Sequence, residues 1–138
     1  MKKYMYLIVL CLITSLLSGC IDRPSKEEIG RLVRENEKTL RMSIQNNDYE
    51  AALEIPGIQE MKLRKGIPFF YCGGAGFGPS TAYFGFYYSE NDQRLNFMPA
   101  YELMPFGEGW EAKQEHPGDN RCYTERILPQ FFYLEEFY

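Results

Sequence analysis

Aromatic side chains are spread unevenly along the 138 residues, and that imbalance limits the fold more than any other feature. Phe, Tyr and Trp together number 22, and 19 of them fall between Phe69 and Tyr138. Arg23 to Glu54 is instead charged and rich in helix formers. Aromatic residues suit a pleated, half-buried surface, while straight-chain charged residues lose little freedom in a helix. The pattern predicts an α+β domain: an N-terminal amphipathic helix packed on a five- to seven-stranded antiparallel sheet.

The helix has a legible start. Ser25 followed three positions later by Glu28 matches a capping box, in which each side chain satisfies an amide of the first turn. Ile29, Leu32, Val33, Leu40 and Ile44 recur at helical spacing and form one apolar stripe. Glu37 and Arg41, four apart, are placed to pair. Asn46-Asn47-Asp48 breaks the pattern, Asp48 is placed to cap a short second helix through Leu53, and Pro56-Gly57 ends it.

Beyond Pro56 the period changes from 3.6 to 2. Met61 and Leu63 alternate with Glu60, Lys62 and Arg64, as in a half-buried strand. Further strands are predicted over Ile67–Cys72, Ser80–Ser89, Arg94–Met98, Trp110–Glu115, Arg121–Leu128 and Phe131–Phe137. Turn residues separate them: Glu90-Asn91-Asp92-Gln93, Gly107-Glu108-Gly109 and His116-Pro117-Gly118-Asp119-Asn120. Cys72-Gly73-Gly74-Ala75-Gly76-Phe77-Gly78-Pro79 is read as an irregular connection.

The front of the chain carries an address. Lys2 and Lys3 precede an apolar run from Tyr4 to Leu17, followed by small residues. Those 14 residues would span about 21 Å as a helix, short of the roughly 30 Å hydrocarbon core, so the run reads as a secretory signal rather than a permanent span. Its ending, Leu17-Ser18-Gly19-Cys20, resembles the lipobox of bacterial lipoproteins. The resemblance implies cleavage before Cys20, lipid on the Cys20 thiol and acylation of the new amino terminus. The expected organisation is a signal over residues 1–19, a lipidated Cys20 with a short tether over 20–24, and one domain over 25–138. Between Cys20 and Ser25 the tether reaches about 14 Å when extended, which would hold the domain close to the bilayer.

Loss of Lys2 and Lys3 with the signal takes the net charge from −4 to −6. An acidic domain is a poor match for nucleic acid, whose phosphates reward clustered Lys and Arg. Cys11 lies in the discarded segment and Cys20 is reserved for lipid, leaving Cys72 and Cys122 as an expected disulfide in an exported chain. No Cys-x-x-Cys spacing exists and His116 is the single histidine, so no metal or cofactor is expected.

Four further features are candidates for function. Arg31, Arg34, Lys38 and Arg41 project within about 80° of one another around a helix, a face suited to anionic head groups or simply to solvent. Phe77, in the glycine-rich stretch, is a candidate contact for a ligand or partner. Along the third strand Phe84, Phe86 and Tyr88 point one way and Tyr83 and Tyr87 the other. An outward face carrying Tyr83 and Tyr87, with Trp110, would suit sugar rings or a protein partner. Gly78-Pro79-Ser80-Thr81-Ala82 approaches a nucleophile elbow, with Asp92 and His116 following in hydrolase order, but Ala82 stands where glycine is required. The sequence therefore reads as a membrane-anchored, non-catalytic envelope lipoprotein, on the periplasmic side of the outer membrane in a cell with two membranes. Its expected partner is an envelope protein or peptidoglycan. The alternatives are a small envelope hydrolase using Ser80 and His116, or a purely structural lipoprotein.

Overall fold

The computed structural model describes residues 23–77, 80–115 and 120–138. Three helices, α1 (Lys26–Glu35), α2 (Glu37–Asn46) and α3 (Glu50–Leu53), precede seven strands. The strands are β1 (Glu60–Arg64), β2 (Ile67–Phe77), β3 (Ser80–Tyr88), β4 (Met104–Phe106), β5 (Gly109–Lys113), β6 (Arg121–Leu128) and β7 (Phe131–Phe137). They form a single antiparallel sheet in the order β1-β2-β3-β7-β6-β5-β4. The fold class is mixed α+β.

The capping box forms as its residue spacing requires. The Glu28 amide donates to Ser25 Oγ at 3.2 Å, and the Ser25 amide donates to Glu28 Oε2 at 2.8 Å. The expected single helix is broken at Asn36, whose side-chain nitrogen donates to the Leu32 carbonyl at 2.9 Å. An amide side chain competing for a backbone carbonyl is a common cause of such a break, and the apolar stripe continues across it. Asn47, at φ 52°, closes α2 in the left-handed conformation that asparagine tolerates.

Two meanders, β1-β2-β3 and β4-β5-β6-β7, meet where β3 pairs with β7 at the centre of the sheet. Ile29, Val33, Leu40, Ala52, Ile55 and Ile58 share one buried cluster with Phe70, Phe84, Phe86, Phe131 and Tyr133 on the first face. Phe70 and Phe86 stack there at 4.8 Å between centroids. Gly85, beside Phe86 on β3 and opposite Tyr71 on β2, is required: a Cβ at this position would lie 2.1 Å from the Phe70 carbonyl oxygen.

The link from β3 to β4 must travel from the middle of the sheet to its far edge, and it crosses the second face. Leu95, Phe97 and Met98 pack there on Phe69, Tyr87, Cys122, Phe132 and Leu134. The expected strand over Arg94–Met98 is thus this crossing segment, because its apolar residues are used to cover the sheet rather than extend it. Conversely, Gly73–Phe77 is no irregular connection. It continues β2 and pairs with Phe84 to Ser80 after a bulge at Cys72.

The expected Cys72–Cys122 disulfide is corrected by this topology: both are buried free thiols. Cys72 lies on β2 and Cys122 on β6, with β3 and β7 between them. Three strand spacings amount to about 14 Å, more than twice the separation a disulfide spans. They also belong to clusters on opposite faces. Burial pushes both thiols up to about 12, for Cys122 with help from the Glu136 carboxylate, so both stay protonated and inert at neutral pH.

Candidate functional site

Phe97 divides the second face. On its central side Tyr87 is fully buried, against Phe97 at 5.1 Å and stacked on Phe132 at 5.3 Å. Its hydroxyl accepts the Leu95 amide at 2.9 Å and lies 2.9 Å from Thr124 Oγ1. Thr124 donates onward to the Tyr133 carbonyl at 2.9 Å, so its proton is committed and Tyr87 is the donor between them. Burial raises the Tyr87 hydroxyl to about 12. Tyr87 is therefore a sealed anchor for the crossing chain, and its expected role as an outward binding residue is corrected.

Along the strands from Phe97, toward the start of β3 and the end of β7, no residue of the crossing chain enters the lining and a groove of about 840 Å³ remains. Its walls are the rings of Tyr71, Tyr83 and Tyr138, and Gly74 leaves its floor without a side chain. Tyr71 and Tyr83 meet at 6.0 Å and 76°, and Tyr83 and Tyr138 at 6.2 Å and 67°. Tyr83 is 40% and Tyr138 45% exposed. Strand parity explains the grouping. Tyr83 and Glu136 face one another across β3 and β7, and Gly74 is Tyr83's neighbour on β2.

Charge within the groove is closed on itself. Arg64 donates twice to Glu136, at 2.7 Å and 2.9 Å, and Glu136 is only 2% exposed. The Tyr138 hydroxyl donates to the same carboxylate at 3.0 Å. Burial, then the Glu136 charge, pushes the Tyr138 hydroxyl up to about 12. Lys62 pairs with Glu60 at 2.9 Å and stands over Tyr71 at 5.3 Å from its centroid. A bidentate buried pair of this kind holds its geometry because separating it would strand a charge out of water.

The sequence-derived candidates scatter. Tyr83 is in the groove. Trp110 is half-buried in a separate recess, with the Arg94 guanidinium 4.1 Å over its ring. Phe77 ends β2 opposite Ser80. Ser80 opens β3, whereas the Asp92 amide bonds the Ser89 carbonyl past the other end of that strand, about 27 Å away. Asp92 is tied to Arg126 and to the Gln130 amide, so Ser80 and Asp92 are not brought together. His116 and Cys20, the expected site of lipidation, lie outside the described residues. The basic face is reduced, because Arg41 folds back onto Glu37, Gln130 and the Pro129 carbonyl, leaving Arg31, Arg34 and Lys38 exposed.

Tyr71, Tyr138, Lys62, Arg64 and Glu136 escaped the sequence reading. The signal was present for β1, where Lys62 and Arg64 alternate with the apolar Met61 and Leu63. Among the described residues no group of three or more His, Cys, Asp or Glu is arranged to hold a metal. Among them, too, no helix is long and apolar enough to cross a membrane. No protein-family model matches the chain, and no curated protein or solved structure matches it.

Proposed function

We propose that the chain is a lipid-anchored cell-envelope lipoprotein whose domain is a non-catalytic binding module, working through the tyrosine groove. The anchor rests on Lys2, Lys3, the apolar run and Leu17-Ser18-Gly19-Cys20. A single acyl chain binds membranes only marginally, and the two or three implied by the lipobox make a lasting hold. In a cell with two membranes, Ile21 after the cysteine favours the outer one, with the domain facing the periplasm. The amphipathic segment Lys26–Asn46, seated on the sheet through Ile29, Val33 and Leu40, is then the element nearest the bilayer.

The observation that carries the binding role is the exposure of Tyr83 and Tyr138 on the same sheet face that is sealed at Phe69, Tyr87 and Phe132. Tyrosine supplies large contact area with a polar tip at low entropic cost, which suits recognition. The groove's charges are paired with one another and the Tyr138 hydroxyl is spent on Glu136, which favours binding over bond-breaking. The partner is an envelope protein or peptidoglycan, and not nucleic acid.

Two measurements on cells producing the full chain test this. Mass spectrometry is expected to find an acylated Cys20 as the mature amino end, and an unmodified, uncut terminus would overturn the anchor. A photo-crosslinker replacing Tyr83 is expected to capture one envelope component that the same group replacing Met42, exposed on α2, does not. Equal capture from both positions would overturn the groove as the working surface.

A further inference from the structure

We infer that the groove takes a neutral saccharide, one pyranose ring seated over Gly74 against the rings of Tyr83 and Tyr71. This rests on the groove being the working surface and adds the chemistry of what it holds.

Charge in the groove is balanced. The groove contains two cationic side chains, Lys62 and Arg64, and two anionic ones, Glu60 and Glu136. Each cation is within 2.9 Å of its own anion, so no net side-chain charge is left to draw a phosphate or a carboxylate. A free anion would have to pull Arg64 from Glu136 and strand a carboxylate that is 2% exposed. What the groove offers instead is aromatic area, hydroxyls and an open amide. Gln59 lends its side chain at the rim, and its own backbone amide is already spent on the Tyr71 carbonyl at 2.8 Å.

Shape comes next. Successive tyrosine rings are turned by 76° and 67°, so they bracket a small rigid object rather than present one flat shelf. A pyranose fits such a bracket, since its C–H face is apolar and its rim is hydroxyl. The former packs on a ring face and the latter meets tyrosine hydroxyls, Gln59 and Lys62.

Gly74 supplies the space. A Cβ there would press to 3.0 Å on the Ala82 carbonyl oxygen and lie 3.8 Å from the Tyr83 ring, so the strand pairing itself disfavours a side chain and the floor of the groove stays bare. β1 ends its pairing at Tyr71, leaving β2 beyond that point paired only with β3. Thr81 and Tyr138 exchange backbone bonds across β3 and β7, and alternation along the ladder then turns the Gly74 amide and carbonyl toward the open edge. A hydroxyl-rich ligand at the seat therefore meets a backbone donor and acceptor as well as rings.

The test uses the full chain in detergent micelles, with chitotriose and maltotriose as probes and inorganic phosphate as the anionic control. Saturation-transfer NMR is expected to show transfer to ring C–H protons of at least one trisaccharide. Tyr83→Ala should weaken that binding by about tenfold or more, while Tyr83→Phe, which keeps the ring, should stay within about threefold. Both variants should melt as the parent does, because Tyr83 is 40% exposed. No transfer from either sugar at about 20 mM, affinity unaltered in Tyr83→Ala, or phosphate binding more tightly than both sugars would each overturn the saccharide assignment. If the position-83 cross-link to an envelope protein persists after such a result, the groove reading stands and only the sugar falls.

Discussion

On the first face of the sheet Phe70, Phe84 and Phe86 meet a helical layer, whereas on the second the cover over Phe69, Tyr87 and Phe132 comes from the chain crossing from β3 to β4. Helices are broad and cover a face evenly. A single extended crossing covers only its own path. The second face is therefore sealed where Leu95, Phe97 and Met98 lie and open where they do not. Tyr83 and Tyr87 share a strand and a direction, yet one is 40% exposed and the other not at all. The groove exists because no residue of the crossing chain reaches it. The open, ring-lined surface here follows from unfinished packing, and the charges left in it are paired with one another.

The contrast is sharpest in the helix-covered core. Phe86→Ala removes a ring that is fully buried and stacked on Phe70, and should lose about 3–5 kcal/mol in urea unfolding. A loss no larger than that of Tyr83→Ala would erase the distinction between packed and open regions. Arg64→Ala should cost about 3 kcal/mol, since it leaves Glu136 buried and unpaired. The added change Glu136→Gln should recover part of that cost, and a double variant no more stable than the single would show the charge was never confined.

Tyr87→Phe probes the sealed half with a smaller effect, about 1–3 kcal/mol, by leaving the Leu95 amide and Thr124 without their partner. Hydrogen exchange at Leu95 should accelerate with it. The same hydroxyl sets a pH signature. Its folded value of about 12 lies above the ordinary 10.0, so the fold favours the protonated form. Its contribution is whole below pH 10 and is lost as pH rises through 12. Two units correspond to about 2–3 kcal/mol. The difference in stability between the parent and Tyr87→Phe should therefore shrink between pH 10 and pH 12 and be flat at neutral pH. A difference that changes between pH 6 and pH 8 would contradict this.

Local signals were legible in the chain and long-range cover was not. The Ser25–Glu28 box is a three-residue relation and forms as read, and so does the Glu37–Arg41 pair. Parity along β3 was also readable, because side chains alternate regardless of what lies above them. Asn36 interrupts the helix through a bond to Leu32 that the apolar stripe conceals. Arg94–Met98 has a strand's composition, but its place is decided by the route from β3 to β4, which depends on strand order. That order also separates Cys72 from Cys122, two residues that counting alone would join. The glycines from Gly73 onward looked like a loop because their side chains say nothing, and β3 supplies the pairing that makes them a strand.

Tyrosine footprinting by iodination and mass spectrometry of the folded full chain tests the central claim most directly. The account predicts rapid labelling of Tyr83 and Tyr138 and almost none at Tyr87 or Tyr133. Labelling of Tyr87 at the rate of Tyr83 would mean that the crossing chain does not seal the sheet, and the groove would lose its boundary.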